Sequence, residues 1–231
     1  MTMGEMVEFP SNGGTGGGYL APAHEGAGLG VVVIQEWWGL VDHIIDVCDR
    51  LAAEGFTALA PDLYHGKKVP NQEPDDAMKA SMALDLPRAA KDMSGAVDFL
   101  QGHPSVRGHG VGVVGFCMGG GLALWLATTR PDAVRAAVPF YGIAPRDTEP
   151  NWSALTAAVE GHYAEHDDLA NPEAVVAFEA RLNELGKEIR VFTYPGTGHA
   201  FFNDTRPEIY NDEAARQAWV RTLEFLRAKL G

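Results

Sequence analysis

The sequence predicts an α/β fold: one domain, residues 1–231, built on a mostly parallel central sheet with helices on both faces. Two observations carry this reading. The first is a series of short runs that are apolar throughout, at residues 31–34, 57–60, 111–114, 136–140, 157–159 and 189–192. They do not alternate apolar with polar, which is the pattern of strands buried on both faces of a parallel sheet. The second is the helical spacing between them. A repeated strand–helix order puts the strands parallel and the helices outside.

The elements follow in order. The glycine cluster at 13–18 reads as a hairpin turn or surface loop. Ile44, Ile45, Val47, Cys48, Leu51 and Ala52 recur at helical spacing and stop at Gly55. Residues 89–100 form a second helix, and 122–129 a third after the glycines at 119–121. Pro172, as first helical residue after Asn171, opens a fourth that ends at Gly186. Asp212 can cap a last helix with the apolar stripe Ala215, Trp219, Leu223, Leu226 and Leu230.

Composition narrows the function classes. Hydrophobic residues make up 46% and charged residues 21%, a globular balance that argues against disorder. The formal net charge of -13 would repel nucleic acid or an anionic membrane surface, so neither partner is expected. No run approaches the roughly 18 apolar residues of a membrane span. Glu5 and Glu8 near the start are unlike a secretory signal. Two cysteines are too few for a disulfide framework. The expectation is a cytoplasmic protein, a monomer or small homo-oligomer, with a free thiol.

Gly115-Phe116-Cys117-Met118-Gly119 follows the run at 111–114 and precedes a helix. It is the nucleophile-elbow pattern of α/β-hydrolases with cysteine in place of serine. Small residues two positions either side allow close chain approach around a strained turn. The turn aims the thiol at a helix N-terminus, whose N–H groups favour a thiolate and then an oxyanion. The Met118 N–H is the expected first oxyanion donor. Cys48, on an apolar helical face, reads as core. Gly110-Val111-Gly112-Val113-Val114-Gly115 spells a dinucleotide fingerprint. Its glycines are interleaved with the strand's valines instead of following it, so no nucleotide cofactor is expected.

A cysteine nucleophile needs a base and a group to orient that base. His199 lies in a glycine-rich stretch, 194–201, after the last apolar run, at the carboxyl edge where ligands bind in such sheets. His24, His103 and His109 sit in polar, turn-like surroundings. The acid should fall between cysteine and histidine in chain order. Asp167 and Asp168 both qualify, and pattern does not separate them. His162-Tyr163-Ala164-Glu165-His166 matches a zinc-peptidase signature. That signature works only on a helix, whereas a strand ending at Gly161 and a loop to Pro172 are expected here, so no metal is predicted. Glu36, between a strand and Trp37-Trp38, is a charge in apolar surroundings and calls for a partner. The same loop supplies the second oxyanion N–H in α/β-hydrolases, here that of Trp37.

Taken together, Gln35-Glu36-Trp37-Trp38-Gly39-Leu40, Ala60-Pro61-Asp62-Leu63-Tyr64, Gly115-Phe116-Cys117-Met118-Gly119-Gly120, Glu165-His166-Asp167 and Gly198-His199-Ala200-Phe201 resemble the dienelactone hydrolase family. The resemblance covers nearly the whole chain. It implies an α/β-hydrolase fold, a Cys117–His199–Asp167 triad, and a Glu36 that accepts the resting thiol's proton when substrate enters. It thereby favours Asp167 over Asp168. It also implies lactone opening through a thioester on Cys117. Family members specialised for dienelactone hold its carboxylate with arginines, one of them a few residues after the histidine. Here no arginine follows His199 until Arg206, and Lys79 is the only cation between 71 and 86. The resemblance therefore carries the reaction class and leaves the anionic-lactone specificity open. Trp37, Trp38, Tyr141, Phe201, Phe202 and Arg206 are the candidate pocket residues, although aromatic residues there also suit plain core. The expected function is hydrolysis of a lactone or small activated ester. The alternative is a non-catalytic hydrolase-like domain that binds a ligand or senses oxidants through Cys117.

Overall fold

The computed structural model describes residues 4–144 and 149–231, in two compact units, Met1–Gly112 and Val113–Gly231. In the first unit, β1 (Glu5–Ser11) and β2 (Gly14–Ala21) form an antiparallel hairpin. Its turn is Asn12-Gly13, both with positive φ, as a tight hairpin connection requires. The glycine cluster is thus mostly strand. β2 pairs antiparallel with β4 (Phe56–Pro61), and β4 pairs parallel with β3 (Gly28–Ile34). Every residue of β3 and β4 is buried, which is why neither alternates. Three helices accompany them: α1 (Asp42–Ala53), α2 (Pro74–Met82) and α3 (Leu86–Gly102). α1 buries Ile44, Val47, Cys48 and Leu51, and burial pushes the Cys48 thiol well up, so it is core. The strand order here is β1-β2-β4-β3-β5.

Strand β5 (Val106–Phe116) runs through the boundary between the units. Gly110, Gly112 and Gly115 all lie inside it, so the fingerprint glycines form no phosphate-binding turn. The side chain of His109 lies outside the described residues.

The second unit continues with α4 (Met118–Thr129), β6 (Val134–Phe140), β7 (Ala158–His166), α5 (Pro172–Glu184), β8 (Ile189–Gly198) and α6 (Asp212–Leu230). Its order is β5-β6-β7-β8, with β6–β7 and β7–β8 parallel. Asn171 caps α5 through the Ala174 N–H, with Pro172 opening the helix. The cap of α6 is Asn211, which accepts from the Ala214 N–H. Asp212, the expected cap, lies in the first turn.

Two strands outrun their apolar runs. β7 extends through His166 where a loop is expected, and β8 through Gly198 where the glycines suggest one. The buried imidazole in β7 is tolerated because it is paired. His162 is wholly buried, with Nδ1 2.8 Å from the Tyr194 hydroxyl and Nε2 3.1 Å from the Thr222 hydroxyl. Arg221 donates to the same Tyr194 hydroxyl at 3.0 Å. This ties β7, β8 and α6 together. Pro195 and Gly196 fit in β8 because it is the outermost strand.

The buried imidazole makes stability pH-dependent. Burial lowers the pKa of His162 below its ordinary 6.5; Glu160 pulls it up and Arg221 down, and burial wins. Below about 6.5 the unfolded ring takes a proton that the native ring resists. Its stabilising contribution is therefore present above that pH and lost as pH falls. Urea midpoints measured at pH 7.5 and 5.5 should fall more steeply for the native chain than for His162→Gln. Equal slopes would remove His162 as the cause.

Candidate active site

Cys117 stands between β5 and α4 with φ 55° and ψ −120°, backbone angles that a side chain makes costly. Main-chain bonds hold it there. Its N–H donates to the Phe140 carbonyl at 3.0 Å, and its carbonyl accepts from the Gly120 N–H at 2.9 Å. The thiol makes no capping bond to the helix it precedes, so it is left for chemistry at the positive end of α4. The elbow glycine is explained by the turn itself. A Cβ at Gly115 would stand 2.0 Å from the Gly119 carbonyl oxygen, so what passes close is the chain's own next turn. Gly115→Ala is expected to destabilise the fold by about 3 kcal/mol or more, since backbone cannot yield as a side chain does. A thermal melt within a degree of the native chain would contradict this.

Two partners from neighbouring strand ends complete the geometry. Asp167 directly follows β7 and His199 directly follows β8. Asp167 Oδ2 lies 2.8 Å from His199 Nδ1. Its other oxygen, Oδ1, accepts from the N–H groups of Leu169 (2.8 Å) and Ala170 (3.0 Å). Burial opposes the charged carboxylate, but these bonds and the His199 charge outweigh it and lower its pKa. Asp168 is exposed, and of the two it is Asp167 that lies against His199. Burial also opposes a charged His199. Hydrogen bonding and charge from Asp167 and Cys117 outweigh it and raise the pKa to about 10. Nδ1 is taken by Asp167, and the buried Nε2, which makes no hydrogen bond of normal geometry, is the ring nitrogen that Asp167 leaves open.

The remaining sequence candidates fall in several environments. Tyr141 is buried with φ 41°, and its ring meets the His199 ring edge-on at 5.1 Å. Phe201 packs against Tyr141 and Tyr194, and Phe202 stacks on Phe116 at 5.5 Å. Both phenylalanines are fully buried, so they shape the site as packing. The Arg206 guanidinium pairs with Glu208 at 3.0 Å. Met118 opens α4. In the first unit, Glu36 is buried, and the rings of Trp37 and Trp38 meet edge-on at 5.2 Å. Trp38 belongs to a cluster with Val69, Ala77 and Ala80. The zinc-like motif lies on strand β7, with His162 engaged by Tyr194 and Thr222 and His166 exposed beside Glu165.

No motif points to Phe140 or Gly142, yet both shape the elbow. Phe140 supplies the carbonyl that holds the Cys117 N–H. A Cβ at Gly142 would lie 2.1 Å from the Cys117 carbonyl oxygen. The only hint is a glycine two residues past the end of an apolar strand.

The model of the dienelactone hydrolase family matches residues 17–230. A provisionally named carboxymethylenebutenolidase from Aquifex aeolicus is 35% identical over 99% of this chain and 100% of its own length. A provisionally named 2-oxo-3-(5-oxofuran-2-ylidene)propanoate lactonase from Bradyrhizobium is 34% identical over 96% of this chain and 93% of its own. The crystal structure of a provisionally named dienelactone hydrolase from Klebsiella pneumoniae superposes with a TM-score of 0.86 at 27% identity. That match covers 98% of this chain and 99% of the other. The shared architecture is an α/β-hydrolase fold with a mostly parallel sheet flanked by helices.

Proposed function

The chain belongs to the dienelactone hydrolase family and hydrolyses ester bonds; from that premise we propose that it opens a lactone or small activated ester through a thioester on Cys117. The observation that carries the reading is the His199–Asp167 pair at 2.8 Å, acting on the same ring as a thiol at a strained helix start. Each group then has one task. The Cys117 sulfur attacks the carbonyl carbon, and the oxyanion is met by the N–H groups of Met118 and Trp37. The carbon–oxygen bond breaks, and His199 gives its proton to the departing alkoxide or enolate. Water attacks the thioester, His199 takes a proton from it, and the sulfur leaves as the acid product forms. Asp167 holds Nδ1 and stabilises the imidazolium throughout. Glu36, the buried carboxylate, receives the resting thiol's proton when substrate enters.

In this reading residues 1–231 work as one catalytic domain with a small-molecule substrate, in a reducing, cytoplasmic setting that suits free thiols. Both cysteines are unpaired. The experiment is single-turnover hydrolysis of a chromogenic short-chain ester by the native chain and by Cys117→Ala. Quenched native protein should carry the acyl mass on the peptide containing Cys117. Product formation at equal rates in both, with no acylated peptide, would overturn the thioester route.

A further inference from the structure

The first unit holds a second cluster of chemistry-bearing groups. A cavity of about 260 Å³ opens between the segment after β4, the end of α2 and the start of α3. Its apolar wall includes Leu63, Ala80 and Leu84, and its basic groups are His65, Lys67 and Arg88. A cavity of roughly 150 Å³ already accepts an aromatic ring. The ester chemistry at Cys117 gives these basic groups no task.

Three observations indicate that the cluster is built. His65 is a non-glycine residue at φ 51°, a conformation that costs free energy and recurs at functional positions. The segment holding it is tied down by Asp62, which accepts from the N–H groups of Tyr64 (3.1 Å) and Gly66 (2.6 Å). The third is a carboxylate beneath the His65 ring. Its Nε2 lies 3.3 Å from the carboxylate of Asp92, a buried residue whose other oxygen is held by the Ser11 hydroxyl. The contact is an ion-pair distance without hydrogen-bond geometry, and it sets a buried acidic group beside the basic cluster.

The cations are left with capacity to spare. Arg88 Nη2 approaches His65 Nδ1 at 3.4 Å and Nε lies 3.9 Å from Asp92, while Nη1 has no partner among the described residues. The Lys67 ammonium has no ion-pair partner among them either. The acidic group acting on it from α2 is Asp76, itself bonded to Lys79 at 2.7 Å. Asp85, the acidic residue of the lining, is committed as the cap of α3, accepting from the Arg88 N–H at 3.0 Å. A guanidinium edge and an ammonium beside an apolar wall match a ligand with a carboxylate at one end and a small apolar body at the other.

We propose that this cavity binds a small organic carboxylate, with Lys67 and Arg88 taking the anionic head and the wall of Leu63, Ala80 and Leu84 taking the apolar body. The proposal stands independently of the ester chemistry. Benzoate is the probe, titrated calorimetrically into the full chain, with benzyl alcohol as the neutral isostere. Benzoate should bind more tightly than benzyl alcohol. Lys67→Gln and Arg88→Gln should each weaken benzoate about tenfold, the loss of one charge-assisted hydrogen bond. Ester hydrolysis by Lys67→Gln should equal that of the native chain, which shows the fold intact because Lys67 is exposed. Lys67→Arg should retain most of the affinity. Benzoate heat that is absent, that matches benzyl alcohol, or that is unchanged in both glutamine variants would overturn the site.

Discussion

Cys117→Ala should lower kcat for a chromogenic short-chain ester by on the order of 10⁴-fold or more, the scale on which nucleophiles of such triads act. The loss should fall on kcat with little change in KM. Alanine removes the sulfur that forms the covalent intermediate while the rest of the site keeps its shape. That shape survives because the elbow is held by the Phe140 carbonyl and the Gly120 N–H, both bonded to the main chain of residue 117. Circular dichroism and the melting temperature should therefore match the native protein. A variant with a tenth of native activity would show that another group attacks the ester.

The second large effect is expected from Asp167→Asn, a fall in kcat of roughly 10³-fold or more. Asparagine keeps the volume, so the effect is electrical. The carboxylate is among the groups that raise the His199 pKa to about 10 against the opposing effect of burial. Without its charge the imidazolium is less stable, and the alkaline limb of the rate–pH profile should move to lower pH. The sign for stability follows from the same shift. A raised native pKa makes the contribution of His199 complete below about 6.5 and lost as pH rises through about 10. The variant should show a weaker alkaline dependence, because the Cys117 contribution remains. An unchanged profile with a small drop in rate would mean that Asp167 only shapes the turn.

How much of this was legible in the sequence depends on the kind of signal. The buried strands and Cys117 announce themselves, because unbroken apolar runs and an elbow between strand and helix are local patterns. His199 follows from its place after the last run. The choice between Asp167 and Asp168 was not legible. Both carboxylates follow the end of β7, and which of them meets His199 is set by a contact 32 residues away along the chain, which no local pattern encodes. The reach of β7 and β8 was hidden for a related reason. His162 looks like a loop residue until Tyr194 and Thr222, far away in sequence, are seen to satisfy it. α2 was also invisible, since it buries only Ala77 and Ala80 and so shows almost no apolar stripe.

The elbow at Cys117 has a consequence for how such a site can diversify. Among the described residues, the bonds to Phe140 and Gly120 that hold residue 117 in its costly conformation are made by peptide groups, and its side chain makes no capping bond to α4. The strained turn is thus a socket whose shape is indifferent to the atom it presents. Sulfur can be exchanged for oxygen there without dismantling the mount, so reactivity at this position can drift while the architecture beneath it stays constant.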